Sequence, residues 1–332
     1  MIKSVEFHNF KALRDTTLPL SRFTLIVGPN GSGKSTAIQA LKAMREPHQL
    51  LHRQIVTAAL KETDKTVEVI VNCGKPFAGA RVIATWALWG TGRKSIQIGN
   101  KDQDSHILDD LLSATRIYSL DAEAIAAPTQ LIPDITLAPD GANLAGVLDR
   151  LRDNEPERFE ALNEELNRWL PEFDRILFET PKTGHRAISL RTCEGQHKIA
   201  VTDLSQGILL ALAMLTLAYV PDPPPIVCIE EPDRGIHPRL LRDVRDALYR
   251  LAYPESVGEK RDPVQVIATT HSPYLLDLFR DHPEEIVIAN KIGQEARFER
   301  LLDQGNIDEI LEDAHLGDIW YTGILGGVPS NT

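Results

Sequence analysis

The sequence predicts an α/β chain with a mostly parallel sheet, an added antiparallel β layer and a helical insertion near the middle. Three observations carry that prediction. A strand, a glycine-rich loop and a helix follow one another over 23–44, strands and helices alternate from 205 to 289, and two β-rich segments joined by a Gly-Lys-Pro turn lie between 66 and 86. Composition agrees. The 332 residues are 42% apolar, with 36 Lys+Arg against 47 Asp+Glu and a net charge of −11, as in an ordinary globular protein of about two domains' length.

Several classes are excluded at once. Cys73, Cys193 and Cys228 are scattered without CxxC pairing, which leaves neither a sequence-readable zinc site nor a disulfide framework and fits a reducing compartment. The longest apolar run, Ile208 to Val220, is 13 residues with Thr216 inside it, too short to span a bilayer. The first residues read as a charged strand rather than a signal peptide, so the expectation is a cytoplasmic protein without a membrane partner. Charge is uneven along the chain. Residues 1–100 hold 14 basic and 6 acidic residues (net +8), and 101–332 hold 22 and 41 (net −19). A basic first third can face a polyanion such as DNA, yet no tight Lys/Arg cluster occurs, and the charges read first as a solvated surface.

In chain order, Ile2–Phe10 and 23–28 read as strands, short and rich in apolar and aromatic residues. Residues 35–44 read as a helix. Residues 54–100 look like the antiparallel layer, with 66–71 and 81–86 as strands and Gly74-Lys75-Pro76 as the turn. From 143 to 170 the pattern is helical, with Phe159, Leu162, Leu166 and Trp169 at 3/4 spacing. Short strands follow at 175–179, 187–191 and 197–201. The second alternation comprises helix 205–219, strand 226–230, helix 238–252, strand 264–269, helix 273–279 and strand 285–289. The stretch 221–225, Pro-Asp-Pro-Pro-Pro, stiffens the entry to strand 226–230, because each proline fixes its own φ. The divisions expected are 1–140, 141–200 for the insertion, and 201–332, with one nucleotide-binding lobe assembled from both ends.

Gly28-Pro29-Asn30-Gly31-Ser32-Gly33-Lys34-Ser35-Thr36 matches G-x-x-x-x-G-K-S/T in full, after an apolar strand and before a helix. Glycines let backbone N–H groups curl round an anion, and the helix start adds positive potential. Asn30, Gly31, Ser32, Gly33, Lys34, Ser35 and Thr36 are therefore the expected nucleotide grip. Lys34 reaches the β/γ-phosphates and the Ser35 hydroxyl ligates Mg²⁺. A loop that only turned the chain would not need Lys and Ser at these offsets.

Ile226-Val227-Cys228-Ile229, apolar throughout, reads as a strand buried on both faces and ends in Glu230-Glu231-Pro232. Ligands of open α/β sheets sit beyond the carboxyl ends of the strands, and neighbouring side chains on a strand point opposite ways. Glu230 is accordingly assigned to Mg²⁺ and Glu231 to the attacking water as general base. His271, in Thr269-Thr270-His271-Ser272-Pro273, occupies the equivalent place after the next strand, where it can meet the γ-phosphate or the water. Ser205, ahead of the apolar helix 208–219, is an N-cap, and its helix start is a second anion-ready end.

The order G-x-x-x-x-G-K-S, L-S-x-G, apolar-E-E-P and T-H-S-P resembles the ATPase heads of the ABC class, in particular the SMC/RecF branch. Further phrases look like the AAA-type ATPase domain of OLD-family and related bacterial defence proteins: Asn9-Phe10-Lys11, 139–144 (Pro-Asp-Gly-Ala-Asn-Leu), 231–238 (Glu-Pro-Asp-Arg-Gly-Ile-His-Pro) and 316–321 (Leu-Gly-Asp-Ile-Trp-Tyr). The resemblance implies an ABC/SMC-head-like P-loop NTPase in which two copies dimerise head to tail with ATP between them. It implies that Ser205 contacts the γ-phosphate held by the partner's loop, that Gly207 permits close backbone approach, and that Lys11 lies near the nucleotide. Because one chain has one Lys-bearing loop, a second phosphate-facing helix is most useful in trans.

The sequence departs from the class with Gln206 and Ile208 in the signature and Glu230 in place of Asp. Gln54 and Gln97 are the candidates for the Mg²⁺-sensing glutamine. Ser205 lies 169 residues after Thr36, across β patterns and short helices, which excludes long coiled-coil arms. Outside the ATPase motifs there is neither a Toprim-like acidic triad nor HExxH, so any nuclease would be a separate polypeptide. The functional expectation is an ATP-hydrolysing, Mg²⁺-dependent dimeric switch controlling a partner effector in DNA-related defence or repair. The alternatives are a RecF-like DNA-binding repair ATPase and, behind it, the nucleotide-binding subunit of a transporter.

Overall fold

The computed structural model describes residues 1–56, 66–87, 90–98, 103–305, 315–323 and 325. Two units divide the chain: residues 1–117, 224–229 and 262–332 form the first, and 118–223 with 230–261 the second.

The first unit carries two sheets. One is antiparallel, in the order Leu13–Pro19, Ile2–Phe10, Val67–Cys73, Arg81–Trp86, Gly92–Gln97. The other runs Glu295–Arg300, Ile286–Ile292, Phe23–Val27, Gln265–Thr270, Ile226–Glu230, Arg116–Tyr118. Phe23–Val27 pairs in parallel with both Gln265–Thr270 and Ile286–Ile292. All residues of Phe23–Val27 and Gln265–Thr270 are buried, which is why both read as near-continuous apolar runs. Gln265 is the largest of the buried polar residues in them, and its amide is bonded to two other segments. Its Oε1 accepts from Ile2 N at 2.8 Å, and its Nε2 donates to Ile2 O at 2.7 Å and Ser21 O at 2.9 Å. One buried amide thus fastens the first strand of one sheet to the centre of the other. Val5, Phe7, Ile26, Ala37 and Ile38 are among the residues that fill the space between.

Several first-unit elements were not among those expected. Leu13–Pro19 holds its place as a strand by pairing with Ile2–Phe10 despite the polar run Arg14-Asp15-Thr16-Thr17. Glu295–Arg300, the helix Gln103–Ser113 and the helix Leu316–Tyr321 are likewise additional. The span 54–100 contains the expected antiparallel strands. It begins differently, with Gln54 in a helical turn, His52–Ile55, and residues 57–65 lie outside the described residues.

The second unit is built on Gln206–Tyr219, a helix buried continuously from Leu209 to Tyr219. The expected helical stretch 143–170 is two helices, Leu144–Asn154 and Pro156–Trp169, because Pro156 cannot continue the first and is suited to open the second. Buried Asn163 locks the second helix to the strand Phe173–Glu179, its Oδ1 accepting from Ile176 N at 2.8 Å. Asp149, 8% exposed, receives Arg186 at 2.8 Å and Arg152 at 2.9 Å, joining Leu144–Asn154 to the strand His185–Thr192. The reach 238–252 opens as a 3-10 turn, Pro238–Leu240, before the α-helix Leu241–Ala252.

Candidate functional site

The phosphate loop leaves Phe23–Val27 at Gly28 and enters the helix Lys34–Arg45. Glycine is obligatory at two points. A Cβ on Gly28 would stand 2.3 Å from Ala289 O and 2.6 Å from Ser32 Oγ, and Gly33 adopts φ +97°, with Ala296 Cβ 2.7 Å from where its own would be. Ser32 is 1% exposed, and its hydroxyl is buried without a hydrogen-bond partner. An orphaned buried donor is costly, and in this loop a phosphate oxygen would satisfy it. Lys34 is folded inward, its ammonium donating to Gly28 O at 2.6 Å and Pro29 O at 3.0 Å. The helix has no acidic residue in its first turn and Lys42 and Arg45 in its last. The absence of carboxylates at its start leaves the positive end uncompensated by side chains. These residues fit a triphosphate.

Lys11 sits against the same helix, its ammonium donating to Gln39 Oε1 at 2.7 Å, with its own backbone at φ +53°. Of the two glutamines considered, Gln54 spends its Oε1 on Leu51 N at 2.8 Å, and Gln97 ends the edge strand of the antiparallel sheet.

Sheet order brings the ends of adjacent parallel strands to one edge. Thr270 pairs with Val27, so His271 and Gly28 leave adjacent parallel strands together. The neighbouring strand Ile226–Glu230 starts beside Gln265, whose N donates to Pro225 O at 2.9 Å, and so runs in the same direction. His271 is exposed, ahead of the short helix Pro273–Asp277 capped by Ser272.

In the second unit Glu230 and Glu231 stand together with Arg234. Burial first, and then the neighbouring Glu231 charge, push the Glu230 carboxyl above its ordinary value, against the pull of Arg234. Arg234 also donates to Leu120 O at 2.5 Å. Glu231 holds φ +49°, a left-handed conformation rare for a residue with a Cβ and typical of strained functional positions. Two hard oxygen donor types, the Ser35 hydroxyl and the Glu230 carboxylate, suit Mg²⁺ in kind. A raised carboxyl means that the ionised form opposes folding, so Glu230 contributes most stability while protonated and loses it as pH rises through its shifted value. Glu230→Gln is expected to raise the melting temperature at neutral pH and to flatten its fall with pH. A thermal melt series across pH checks this, and an unchanged or lower melting temperature refutes it.

Ser205 caps Gln206–Tyr219, its Oγ accepting from Ile208 N at 3.4 Å, and is itself exposed. Gly207 serves a close approach within the chain: a Cβ there would stand 2.6 Å from Gly235 O. The signature helix is thereby seated on the turn after Glu230-Glu231. An open cleft of about 520 Å³ borders its first turn, walled by Trp169, Leu170, His237 and Arg239. The 139–144 phrase is architectural. Asn143 donates to Thr136 O and accepts from Ala138 N, both at 2.7 Å, and Gly141 at φ +81° leaves no room for a Cβ beside Ile125.

Residues 89–277 match the family described as "AAA domain, putative AbiEii toxin, Type IV TA system", and residues 1–77 match "AAA ATPase domain". The chain is 23% identical, over 336 residues, to an OLD nuclease of Thermus scotoductus. That alignment covers 84% of this chain and 60% of the relative, so the chain spans about three fifths of the curated protein it matches. Among solved structures, an SMC head bound to the C-terminal winged-helix domain of ScpA superposes with a TM-score of 0.63 at 17% identity, covering 90% of this chain and 96% of that one. The SMC head domain from Thermotoga maritima gives 0.50 at 18% identity, covering 90% and 98%. The fold is thus SMC-head-like. Among the described residues no helix is long and apolar enough to cross a membrane.

Proposed function

This chain belongs to the AAA-domain ATPase family, and on that premise we propose that it is an ATP-driven dimeric switch whose opening and closing controls a partner effector. Two copies meet head to tail. The loop of one, residues Asn30 to Thr36, grips the triphosphate, and the Ser205-tipped helix of the other completes the site. Lys34 exchanges its contacts with Gly28 and Pro29 for the β/γ-phosphates and offsets charge in the transition state. Glu231 takes the proton of the attacking water, and His271 orients that water or the γ-phosphate. Ser35 and Glu230 would hold Mg²⁺, which supplies charge neutralisation between the phosphates. Lys11 lends positive potential beside the loop helix.

The observation that carries this reading is a complete phosphate loop with an unsatisfied buried Ser32 hydroxyl, and His271 leaving the strand paired beside that loop. The effector is read as one that acts on nucleic acid in defence, a nuclease being one such effector, by analogy with the OLD nuclease relative. Specific ATPase activity measured against protein concentration tests the shared site. It is expected to fall on dilution below the dimer dissociation constant, and a concentration-independent value overturns the dimeric reading.

A further inference from the structure

The 316–321 phrase has no part in the mechanism above, yet the structure gives it a place beside that mechanism. It forms the helix Leu316–Tyr321, which packs on Pro273–Asp277, the short helix directly after His271. Gly317 N donates to Asp277 Oδ1 at 2.7 Å. The approach is close enough to demand glycine, since a Cβ at 317 would stand 2.6 Å from Pro273 O, 2.9 Å from Pro273 Cβ and 3.0 Å from Asp277 Oδ2. Leu316 and Ile319 are buried on one side of this contact, and Leu275 and Leu276 on the other.

His271 is therefore bracketed. Before it, Thr270 is paired to Val27 at the mouth of the phosphate loop, and Thr270 Oγ1 accepts from Ser272 N at 2.9 Å. After it, Ser272 caps a helix whose first residue, Pro273, is pressed by Gly317 and whose last, Asp277, is bonded to Gly317. A side chain that acts on a reacting atom must be held to a fraction of an ångström, and displacement by about 1 Å can cost on the order of 10²-fold in rate. We propose that the Leu316–Tyr321 helix is a clamp, with Gly317 and Asp277 as positioning residues that set where His271 stands over the phosphate loop. The proposal rests on the reading of His271 as a group that meets phosphate or water.

The test measures kcat and KM for ATP in Gly317→Ala, Asp277→Ala and Asp277→Asn, each alone and with His271→Ala, alongside thermal melts. Gly317→Ala and Asp277→Ala are expected to lower kcat about tenfold with KM within about twofold, because binding is made by the loop and the clamp acts on the chemical step. Asp277→Asn keeps an oxygen able to accept from Gly317 N and is expected to recover most of the rate. In the His271→Ala background neither substitution should lower kcat further. An equal fall with and without His271 overturns the clamp while leaving the functional reading intact, as does a normal kcat in the clamp variants when His271→Ala is impaired. A normal kcat in His271→Ala overturns both. Should Gly317→Ala fail to fold, the Asp277 pair decides alone.

Discussion

Glu231→Gln is expected to reduce phosphate release by about 10²–10⁴-fold while ATP binding persists. The amide matches the carboxylate in size and preserves the chain at a position that already sits at φ +49°, but it cannot accept the proton of the attacking water. It leaves burial, the main cause of the raised Glu230 carboxyl, in place and removes only the lesser one, the Glu231 charge, so binding of a metal-bound triphosphate should hold. With hydrolysis blocked and binding kept, the ATP-bound dimer should accumulate. Phosphate release, nucleotide binding and light scattering with and without ATP check the three parts. Turnover within severalfold of the parent protein would remove Glu231 from the role of general base.

Ser205→Arg should be as severe by a different route. Ser205 is exposed at the tip of the signature helix and bonds only locally to Ile208 N, so a larger side chain there does not disturb the buried length of the helix. In the dimer it would fill the space of the γ-phosphate held by the other copy. Loss of an in-trans group is comparable to loss of an arginine finger, on the order of 10³–10⁵-fold. Mixing supplies the sharper result. Lys34→Ala disables the loop of its own copy but leaves a sound Ser205, so mixed dimers of the two variants hold one complete site. A 1:1 mixture should recover roughly a quarter of the parent activity, since half the dimers are mixed and each has one site of two. Failure of the mixture to exceed either variant alone would mean that the serine acts in its own copy or on no phosphate.

The legibility of the chain follows the range of the forces involved. The phosphate loop is legible because the task proposed for its glycines, Lys34 and Ser35 is contained in nine consecutive residues. Strands such as Phe23–Val27 are legible because burial on both faces writes an unbroken apolar run. The break at Pro156 is equally local, and its signal, a missing N–H and a fixed φ, was there to be read. Glu295–Arg300 also left a trace, with Ala296 and Phe298 buried at a period of two between charged residues.

Other features are invisible along the chain because they are made by residues far apart in it. Nothing near Gln265 announces that its amide closes on Ile2 and Ser21, more than 240 positions away. Gly207 reads as a glycine for approach, and only the fold reveals that the approaching backbone is Gly235. The same holds for Gly317 against Pro273 and Asp277.

By itself the amino-acid order determined the groups on which the proposed chemistry rests: a phosphate loop, a pair of carboxylates after an apolar strand, a histidine after another and a serine-capped helix. Each depends on short-range spacing and on the alternation of side chains along a strand. Tertiary structure alone decided which strand ends share an edge, which glycines exist for contact rather than for turning, and where the 316–321 helix rests. Those outcomes depend on sheet order and on close packing between segments distant in the chain, and both are properties of the folded whole.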